Sequence, residues 1–478
     1  MIATAQHMLD PDRLLDAAQE LREQGGRMIM AYTAPAADGT LTLRYVASRE
    51  GCAEFETWVL RTDRPIPSLA AIWPLLSWYE RETTDHRGVV FTGQPEPWPL
   101  IQPLRDAESD DLRRIPEIAG RDVQILPFGP VRAGVVESAE FTFFYVGEAI
   151  LHYVPHLFLK HRGMEDRFVG CDAETGTILA ERVSGVGSAA HALSYAQAIE
   201  AAARISVPDR ARYQRVIIAE LERLYNHLHY LGHLADTTTL KVGHAEGVLL
   251  AERVKQINAR VTGSRFLRGV IAPGGLRRAL RTEGLAGSLD ALRSPIRRYI
   301  ARLDASESYF DRLSTTGVLA RDVAFDQGAT GPVGRASGLD RDLRRDHGYA
   351  AYADPDIALK VAGHADGDAH ARARVRIDEI DNAITMIQRA VALTPDGDIR
   401  RPCVLPPGGE GMGWAESPRG TLIYAVHADA DGRLARVKIK SPSFSNWRVF
   451  PYTVHDTNMM DYAINEASFG LTIAGCAR

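Results

Sequence analysis

Cysteine is scarce in this chain, and no two cysteines lie close together in the sequence. The 478 residues contain four, Cys52, Cys171, Cys403 and Cys476. None belongs to a C-x-x-C pair, the arrangement that usually holds iron–sulfur clusters and structural zinc. The cysteine pattern therefore excludes a disulfide framework, predicts a reducing compartment, and gives no reason to expect a metal bound by this chain.

Long apolar runs are also missing. The longest candidates, such as the stretch from Phe141 to Val146, fall far short of the roughly 20 residues that span a bilayer. The first residues, MIATAQHMLDPDR, lack the basic segment and apolar core of a signal peptide. We therefore expect a cytoplasmic chain that is peripheral on the inner face of the cell membrane only through partner proteins.

Lysine supplies only six of the 56 basic residues, so arginine dominates. An arginine-rich chain can bind nucleic acid, but the acidic residues number 61 and the net charge is −5. Runs such as Arg341 to Arg345 are interleaved with aspartate, which is typical of ion-pairing surfaces. The glycine-rich stretches lack both a P-loop ending and the strand and helix context of a dinucleotide site. Neither a nucleic-acid partner nor a nucleotide site is supported.

The order of apolar patterns indicates an α+β protein of two domains. Alternating runs predict strands at residues 28–32, 41–46 and 55–60 and a helix at 69–84, which suits a small α/β domain of residues 1–120. Residues 121–478 begin with a predicted β-hairpin at 137–156. Helical patterns follow at 189–203, from 208 onward, and at 246–261, 289–313 and 368–393, before a strand pair at 422–427 and 434–439. We therefore expect a larger, mainly helical domain with β edges.

His229 and His233 are four residues apart, a spacing that can place two imidazoles on one helical face for zinc. The glutamate that follows the first histidine in the metalloprotease motif is absent. Packing within a leucine-rich helix is the favoured interpretation of this pair.

The end of the first domain resembles the C-type (30 kDa) subunit of complex I. The segment WPLLSWYERETTDHRGVVFTGQP, residues 73–95, resembles that subunit's signature, in which a helix runs into the residue pattern E-R-E, D, G, F, G, P. The matching residues are Glu80, Arg81, Glu82, Asp85, Gly88, Phe91, Gly93 and Pro95. The resemblance implies a 30 kDa subunit-like fold for residues 1–120.

From about residue 123 the chain is similar to the D-type (49 kDa) subunit of complex I and to the large subunits of group 4 nickel–iron hydrogenases. The matching stretches are HRGME (161–165), ERVSGVGSAAH (181–191), ELERLYNHL (220–228), TGSR (262–265), PGG (273–275), TGPVGRASGLDRDLR (330–344), ESPRG (416–420) and PSFSNW (442–447). The resemblance implies a fused C/D-like subunit in the soluble arm of a membrane-bound oxidoreductase. It also implies two kinds of partner, a small iron–sulfur subunit and complex I-like or antiporter-like membrane subunits.

The metal ligands of the hydrogenases are missing. These enzymes hold nickel and iron with two C-x-x-C pairs, because soft thiolates suit these metals. By the resemblance, the pairs fall on Ser184 and Gly187 and near Thr472 and Gly475. One neighbouring thiol, Cys476, cannot replace them. The resemblance therefore implies no nickel–iron centre in this chain and no hydrogenase activity.

The quinone site of complex I is altered as well. The D-type subunit offers quinone a histidine after a Gly-Pro pair, whereas here Arg132 follows Gly129-Pro130-Val131. The position of the quinone-site tyrosine falls near Gly185. Arg132 is the candidate replacement donor to a quinone headgroup.

A charged set is retained in the matched motifs and could relay protons. It comprises His161, Arg162, Glu165, Glu181, Arg182, His191, Asp340 and Arg344. Such groups shift one another's pKa values at short range and can exchange protons when charge arrives nearby. The alternative is an inherited ion-pair network that only stabilises the fold. Two hypotheses follow: a subunit that couples electron transfer from the iron–sulfur partner to ion translocation, and a non-catalytic scaffold of the same kind of assembly.

Overall fold

The computed structural model describes residues 4–36, 38–101, 122–131, 137–455 and 457–478, with the single residues 116, 118 and 120. Its first part is a sheet with two helices. The elements are β1 (Thr4–Met8), α1 (Leu14–Glu23), β2 (Arg27–Pro35), β3 (Leu41–Ser48), β4 (Phe55–Arg61), β5 (Ile66–Pro67), α2 (Ser77–Arg87) and β6 (Phe91–Thr92). The main sheet has the order β1-β4-β3-β2, with β1 parallel to β4 and the other pairs antiparallel.

The second part is mainly helical and carries small antiparallel sheets. Its strands are β7 (Gln124–Phe128), β8 (Glu140–Val146), β9 (Ala149–His156), β10 (Ile271–Ala272), β11 (Gly275–Leu276), β12 (Glu410–Ser417), β13 (Gly420–Ala428) and β14 (Leu434–Lys440). Its helices are α3 (Ala173–Val183), α4 (Ser188–Ala202), α5 (Asp209–Thr237), α6 (Lys241–Thr262), α7 (Leu285–Asp304), α8 (Glu307–Leu313), α9 (Arg321–Asp326), α10 (Gly331–Ala336), α11 (Leu343–Asp346), α12 (Ala369–Leu393), α13 (Pro442–Val449), α14 (Tyr462–Phe469) and α15 (Ile473–Cys476).

Helix α4 lies directly on strand β12, and small residues on both elements permit this contact. All but one of the 15 residues of α4 are buried, and many are alanine. On the strand, a Cβ added at Gly413 would come within 2.3 Å of the α4 backbone at Ser194 and Ala198. The alanine-rich sequence of α4 therefore specifies a helix enclosed on every side rather than an amphipathic surface helix.

Ion pairs and ring contacts join the two parts. Arg44 on β3 makes two hydrogen bonds of 2.8 Å to Glu410 at the start of β12. Phe55 stacks on His347 with ring centroids 4.0 Å apart. Lys438 on β14 donates to Glu82 of α2 at 2.6 Å. The first part is therefore packed against the second over several separate contacts.

The structure confirms the predicted α+β fold, including the β2–β3 and β13–β14 pairs. Two helix predictions were wrong in their bounds. The helix predicted at 69–84 begins only at Ser77, because Pro74 starts a separate 3-10 turn. The helix predicted at 289–313 is broken at Ser306, whose backbone is extended.

The predicted domain boundary at residue 120 lies mostly outside the described residues and stays a prediction. Among the helices that the structure describes, none has both the length and the apolarity to cross a bilayer.

A buried ionic cluster lies where α5, α10, α11, α12 and β12 meet. Its charged members are Glu220, Arg223, His227, Arg335, Asp342, Arg344, Glu379 and Glu416. Glu379 accepts from Arg335 at 2.7 Å and from Arg344 at 2.8 Å, and it lies 2.7 Å from His227. Burial alone would raise the pKa of Glu379, but the guanidiniums of Arg223, Arg335 and Arg344 hold it well below its usual range.

We expect Glu379→Gln to lower the free energy of unfolding by about 3–5 kcal/mol, because it leaves buried guanidiniums without their shared carboxylate. Asp378→Asn is the matched control: its side chain is 43% exposed on the same helix and contacts His364, so about 0–1 kcal/mol is expected. Urea denaturation followed by tryptophan fluorescence measures both. Equal losses in the two variants would contradict a central role for Glu379.

Candidate functional site

The two segments that the resemblance assigns to the hydrogenase cysteine pairs meet in the structure. Ser184 and Gly187 lie between α3 and α4, whereas Thr472 and Gly475 lie at α15. The Arg162 guanidinium joins them, since its Nη2 donates to the carbonyl of Val183 and to that of Ala474, each at 2.5 Å. A side-chain cation from the HRGME motif therefore bridges the two segments.

Glu137 holds the same turn of α15 through its amides. The backbone N–H groups of Ile473 and Ala474 donate to the two oxygens of Glu137, the second at 3.0 Å. Burial lowers the pKa of Arg162, and the Glu137 carboxylate opposes this shift. The Glu137 carboxylate thus accepts from the backbone N–H groups of this turn, while the Arg162 guanidinium donates to its backbone carbonyl at Ala474. Sequence reasoning missed Glu137, because no motif contains it.

Glu181 and Arg182 stand at the end of α3, next to these segments. Glu181 is buried and accepts from the backbone N–H of Gly269 at 2.6 Å, while Arg182 lies 3.6 Å away and is 53% exposed in its side chain. Burial raises the pKa of Glu181, and the Gly269 hydrogen bond and neighbouring guanidiniums only partly offset it. Glu181 is therefore a buried carboxyl whose proton is held more tightly than usual.

Glu222 is a second buried carboxyl close to this turn that sequence reasoning missed. Its two oxygens accept from the backbone N–H groups of Ala189 and Ala190, at 2.8 and 2.9 Å, at the start of α4. Burial raises the pKa of Glu222 to about 7, although both hydrogen bonds act in the opposite direction. The ELERLYNHL motif contains this residue, but only the packing of α5 against α4 distinguishes it from Glu220.

The comparisons with known proteins match both parts of the chain. The family model of the respiratory-chain NADH dehydrogenase 49 Kd subunit matches residues 247–404 and 402–478. The model of the 30 Kd subunit of the same enzyme matches residues 7–112. The model of nickel-dependent hydrogenases matches residues 162–247. Membrane-bound hydrogenase subunit alpha of Pyrococcus furiosus is 31% identical, over 72% of this chain and 84% of that protein. The chain belongs to the family of complex I 49 kDa subunits and membrane-bound hydrogenase large subunits.

Further similarities agree with this membership. Formate hydrogenlyase subunit 5 of Escherichia coli K12 is 28% identical, over 83% of this chain and 74% of that protein. A chain of the membrane-bound sulfane sulfur reductase, an archaeal respiratory membrane complex, superposes with a TM-score of 0.70 at 22% identity. The match covers 76% of this chain and all of that one, so the two share a fold.

The residues at the positions that the resemblance assigns to the cysteine pairs do not fit a nickel–iron centre. Ser184, Gly187, Thr472 and Gly475 offer no thiolate, and the Arg162 cation lies between the two segments. Cys476 is fully buried, which raises the pKa of its thiol and disfavours the thiolate that binds metal. Within the described part of the chain, no group of three or more His, Cys, Asp or Glu side chains is arranged for a metal. His229 and His233 therefore belong to no such group there.

The remaining members of the charged set lie at several separate places. Glu165 belongs to the joint between the two parts, where it contacts Arg436 at 2.9 Å and Lys438 at 3.1 Å. His161 lies beside it, with its ring 5.1 Å from that of His86. Burial would raise the pKa of Glu165, but Lys438, Arg436 and Arg478 hold it far below its ordinary value. Glu165 therefore stays ionised, which favours a structural role.

His191, Arg344 and Asp340 are placed apart from this joint and from one another. His191 contacts the Tyr424 hydroxyl at 2.8 Å, and burial lowers the pKa of its imidazole to about 3, so the ring is neutral at physiological pH. Arg344 belongs to the buried ionic cluster, whereas Asp340 is exposed and pairs with Arg345. Arg132 lies outside the described residues. Of the predicted set, Arg162, Glu181, Arg182 and His191 lie beside the segments of the assigned cysteine positions, and a Cβ at Gly187 would come within 3.6 Å of the His191 ring. Proton transfer by any member stays a prediction.

We expect Glu165→Gln to destabilise the protein at pH 7 by about 3 kcal/mol and to reduce the acid sensitivity of its stability. A carboxyl whose folded pKa is depressed stabilises above its unfolded pKa, and this contribution is lost as pH falls towards the folded pKa. The difference between wild type and variant should therefore shrink from about pH 5 downward. Unfolding midpoints from pH 7 to pH 2 measure it.

Asp166→Asn is the control for this series, since the neighbouring carboxylate is 57% exposed and pairs with the surface residue Arg87. A pH-independent difference between wild type and Glu165→Gln would show that Glu165 is not held ionised in the folded state.

Proposed function

We propose that this chain is the large soluble-arm subunit of a membrane-bound oxidoreductase of the complex I and hydrogenase-4 type, and that it works without a metal centre of its own. In this proposal it couples electron arrival at an iron–sulfur partner to ion translocation by membrane subunits. The observation that carries it is the Arg162 bridge between the segments assigned to the metal ligands. In this proposal the chain keeps the fold of the family, and the Arg162 cation with the buried carboxyls of Glu181 and Glu222 stands where the relatives would have thiolates.

A surface for membrane partners supports the proposal. All five residues of β7 are exposed, and the apolar side chains on this strand and just beyond it include Ile125 at 59%, Phe128 at 40% and Val131 at 87% exposure. Apolar side chains grouped on one edge of a soluble protein commonly mark a contact surface. We propose that β7 faces the membrane subunits, next to the segment that contains Arg132.

The iron–sulfur partner is proposed to dock beside the loop that follows α6. Phe266 is 40% exposed there, and Lys255, Arg265 and Arg268 surround its ring at 5.7 to 5.9 Å. This loop also supplies Gly269, whose N–H holds Glu181. A change of charge on a partner at this surface would therefore reach Glu181, the buried carboxyl with a raised pKa, through the loop that holds it.

Purification of the native complex from membranes tests its composition. We expect a tagged chain to co-purify with a small iron–sulfur subunit and with polytopic, antiporter-like membrane proteins. Elemental analysis should find iron from the partner and nickel far below one atom per chain, because no thiolates occupy the assigned positions. A stable monomer without partners, or nickel at about one atom per chain, would refute the proposal.

A second measurement separates the coupling subunit from the scaffold. Glu181→Gln keeps the shape and an acceptor for Gly269 but removes the proton. If Glu181 takes part in coupling, the complex should assemble normally while donor-driven turnover falls by about tenfold or more, within the range of a positioned acid–base group.

Glu174→Gln is the matched control, because that carboxylate lies on the same helix with a 44% exposed side chain. Native gels and turnover in membrane vesicles give the two readouts. Normal turnover of Glu181→Gln in a normal complex would favour the scaffold.

A further inference from the structure

A cavity with a mixed polar and apolar lining lies between the first part and the second, and its wall includes α13, which also packs against α15. It has about 620 Å³ of empty space, including its mouth to solvent. The start of β2, α2, the segment before α10 and the start of α13 all contribute to its wall. Both parts of the molecule therefore have to be present to form it.

The charged residues that line this cavity are all basic. They are Arg27, Arg341, Lys440 and Arg448, and no carboxylate lines it among the residues that the structure describes. A smaller adjoining cavity includes Asp342, but Arg344 and Arg335 already neutralise that carboxylate. The main cavity is thus a concentration of positive charge inside a chain whose net charge is −5.

Three of the four cations have no ion-pair partner within the described part of the chain. Lys440 is 5% exposed, and its ammonium donates to the hydroxyl of Ser445 at 2.6 Å. Arg341 lies over the ring of Phe325 at 4.8 Å, and Arg27 makes neither an ion pair nor a side-chain hydrogen bond among the described residues. Both arginines are half-buried. Asp346, Glu416 and Glu50 act on the two arginines only at longer range.

The fourth cation, Arg448, is only partly satisfied by the described residues. Arg448 is 8% exposed and reaches Glu96 through Nη1 at a long 3.4 Å. Its Nε is buried and finds no acceptor among the described residues. The Nε atoms of six other described arginines are unpartnered in the same way, so the long contact to Glu96 is the stronger reason to expect a further acceptor here.

Burial and mutual repulsion also disfavour the charged forms of these side chains. Burial, followed by the charge of Arg27, lowers the pKa of Lys440 to about 7 and that of Arg341 to about 9. Several guanidiniums that are fully buried in the described part of the chain donate to carboxylates, as in the cluster around Glu379. The cavity departs from that pattern, and an anion within it would restore the balance.

We propose that this cavity is a binding site for a small oxyanion, a phosphate group or a carboxylate, held by Arg27, Arg341, Lys440 and Arg448. Thr330 and Ser445, which also line the cavity, supply hydroxyls at its wall. The ligand is shared by both parts of the chain, because Arg27 begins β2 and the other three cations come from the second part. Its occupancy strengthens the joint between them.

Binding to the full chain tests the site directly. Inorganic phosphate, glycerol 3-phosphate and succinate are titrated separately by isothermal titration calorimetry, in chloride buffers of constant ionic strength. We expect saturable binding of at least one of them at about one molecule per chain. Binding of both phosphates identifies the group itself, binding of glycerol 3-phosphate alone identifies an organic phosphate, and binding of succinate alone identifies a carboxylate ligand.

Variants assign the binding to this cavity. Lys440→Met and Arg341→Gln should each weaken it by about tenfold or more, as expected for the loss of one charge-assisted contact. Without ligand, Lys440→Met should unfold at a temperature no lower than wild type, because it replaces an unpaired buried cation with an apolar chain of similar size. This outcome distinguishes a ligand-binding lysine from a structural one.

Arg297→Gln is the control, since this arginine is 73% exposed and does not line the cavity. The proposal is overturned if none of the three anions binds, or if Lys440→Met and Arg341→Gln bind them as wild type does. It is also overturned if Lys440→Met without ligand loses stability while the wild type gains none from any anion.

Discussion

A guanidinium cannot give up its proton to escape burial, so every buried arginine in this chain has to find acceptors. Arginine makes up nearly all of the basic residues, and Arg215, Arg223, Arg335, Arg344, Arg372, Arg376 and Arg478 are almost completely buried. The carboxylates and carbonyls that satisfy them fix how helices and strands meet. Glu379 does this for the helical core, and Glu82 and Glu165 do it for the joint of the two parts.

The same constraint accounts for the contact between the two segments that the resemblance assigns to the cysteine pairs. Two chain segments without thiolates to share a metal need another link if they are to meet. Arg162 provides that link through the carbonyls of Val183 and Ala474, and Glu137 holds the amides of the same turn. A delocalised cation with several donors can join backbone acceptors from separate segments. Serine, glycine and threonine at the assigned positions are then compatible with contact between the two segments.

Much of the fold could be predicted from the sequence, because strand and helix periodicities and the family motifs are local patterns. The β2–β3 and β13–β14 pairs and the long helices follow from such patterns. The partners of single charges could not be predicted, since they are set by contacts between distant segments. Asp340 and Arg344 stand in one motif, yet Asp340 lies at the surface and Arg344 in the core. Glu137 and Lys440 lie outside the family motifs, and although Glu222 lies in one, only packing gives all three their surroundings.

The HRGME segment brings two of these ionic systems within a few residues of each other. Arg162 holds the bridge between α3 and α15, and Glu165, three residues later, holds the joint with the first part through Arg436, Lys438 and Arg478. Arg478 donates to both Glu165 and Glu82, so the middle of α2 is tied to the same segment. Coupling between distant sites requires a physical element that both of them bias. In this molecule, the segment 161–165 links the bridged turn covalently to the joint, because His161 lies against His86 of the first part and Glu165 shares Lys438 and Arg478 with Glu82. A displacement of Arg162 would therefore act on both of these contacts through the backbone of one short segment.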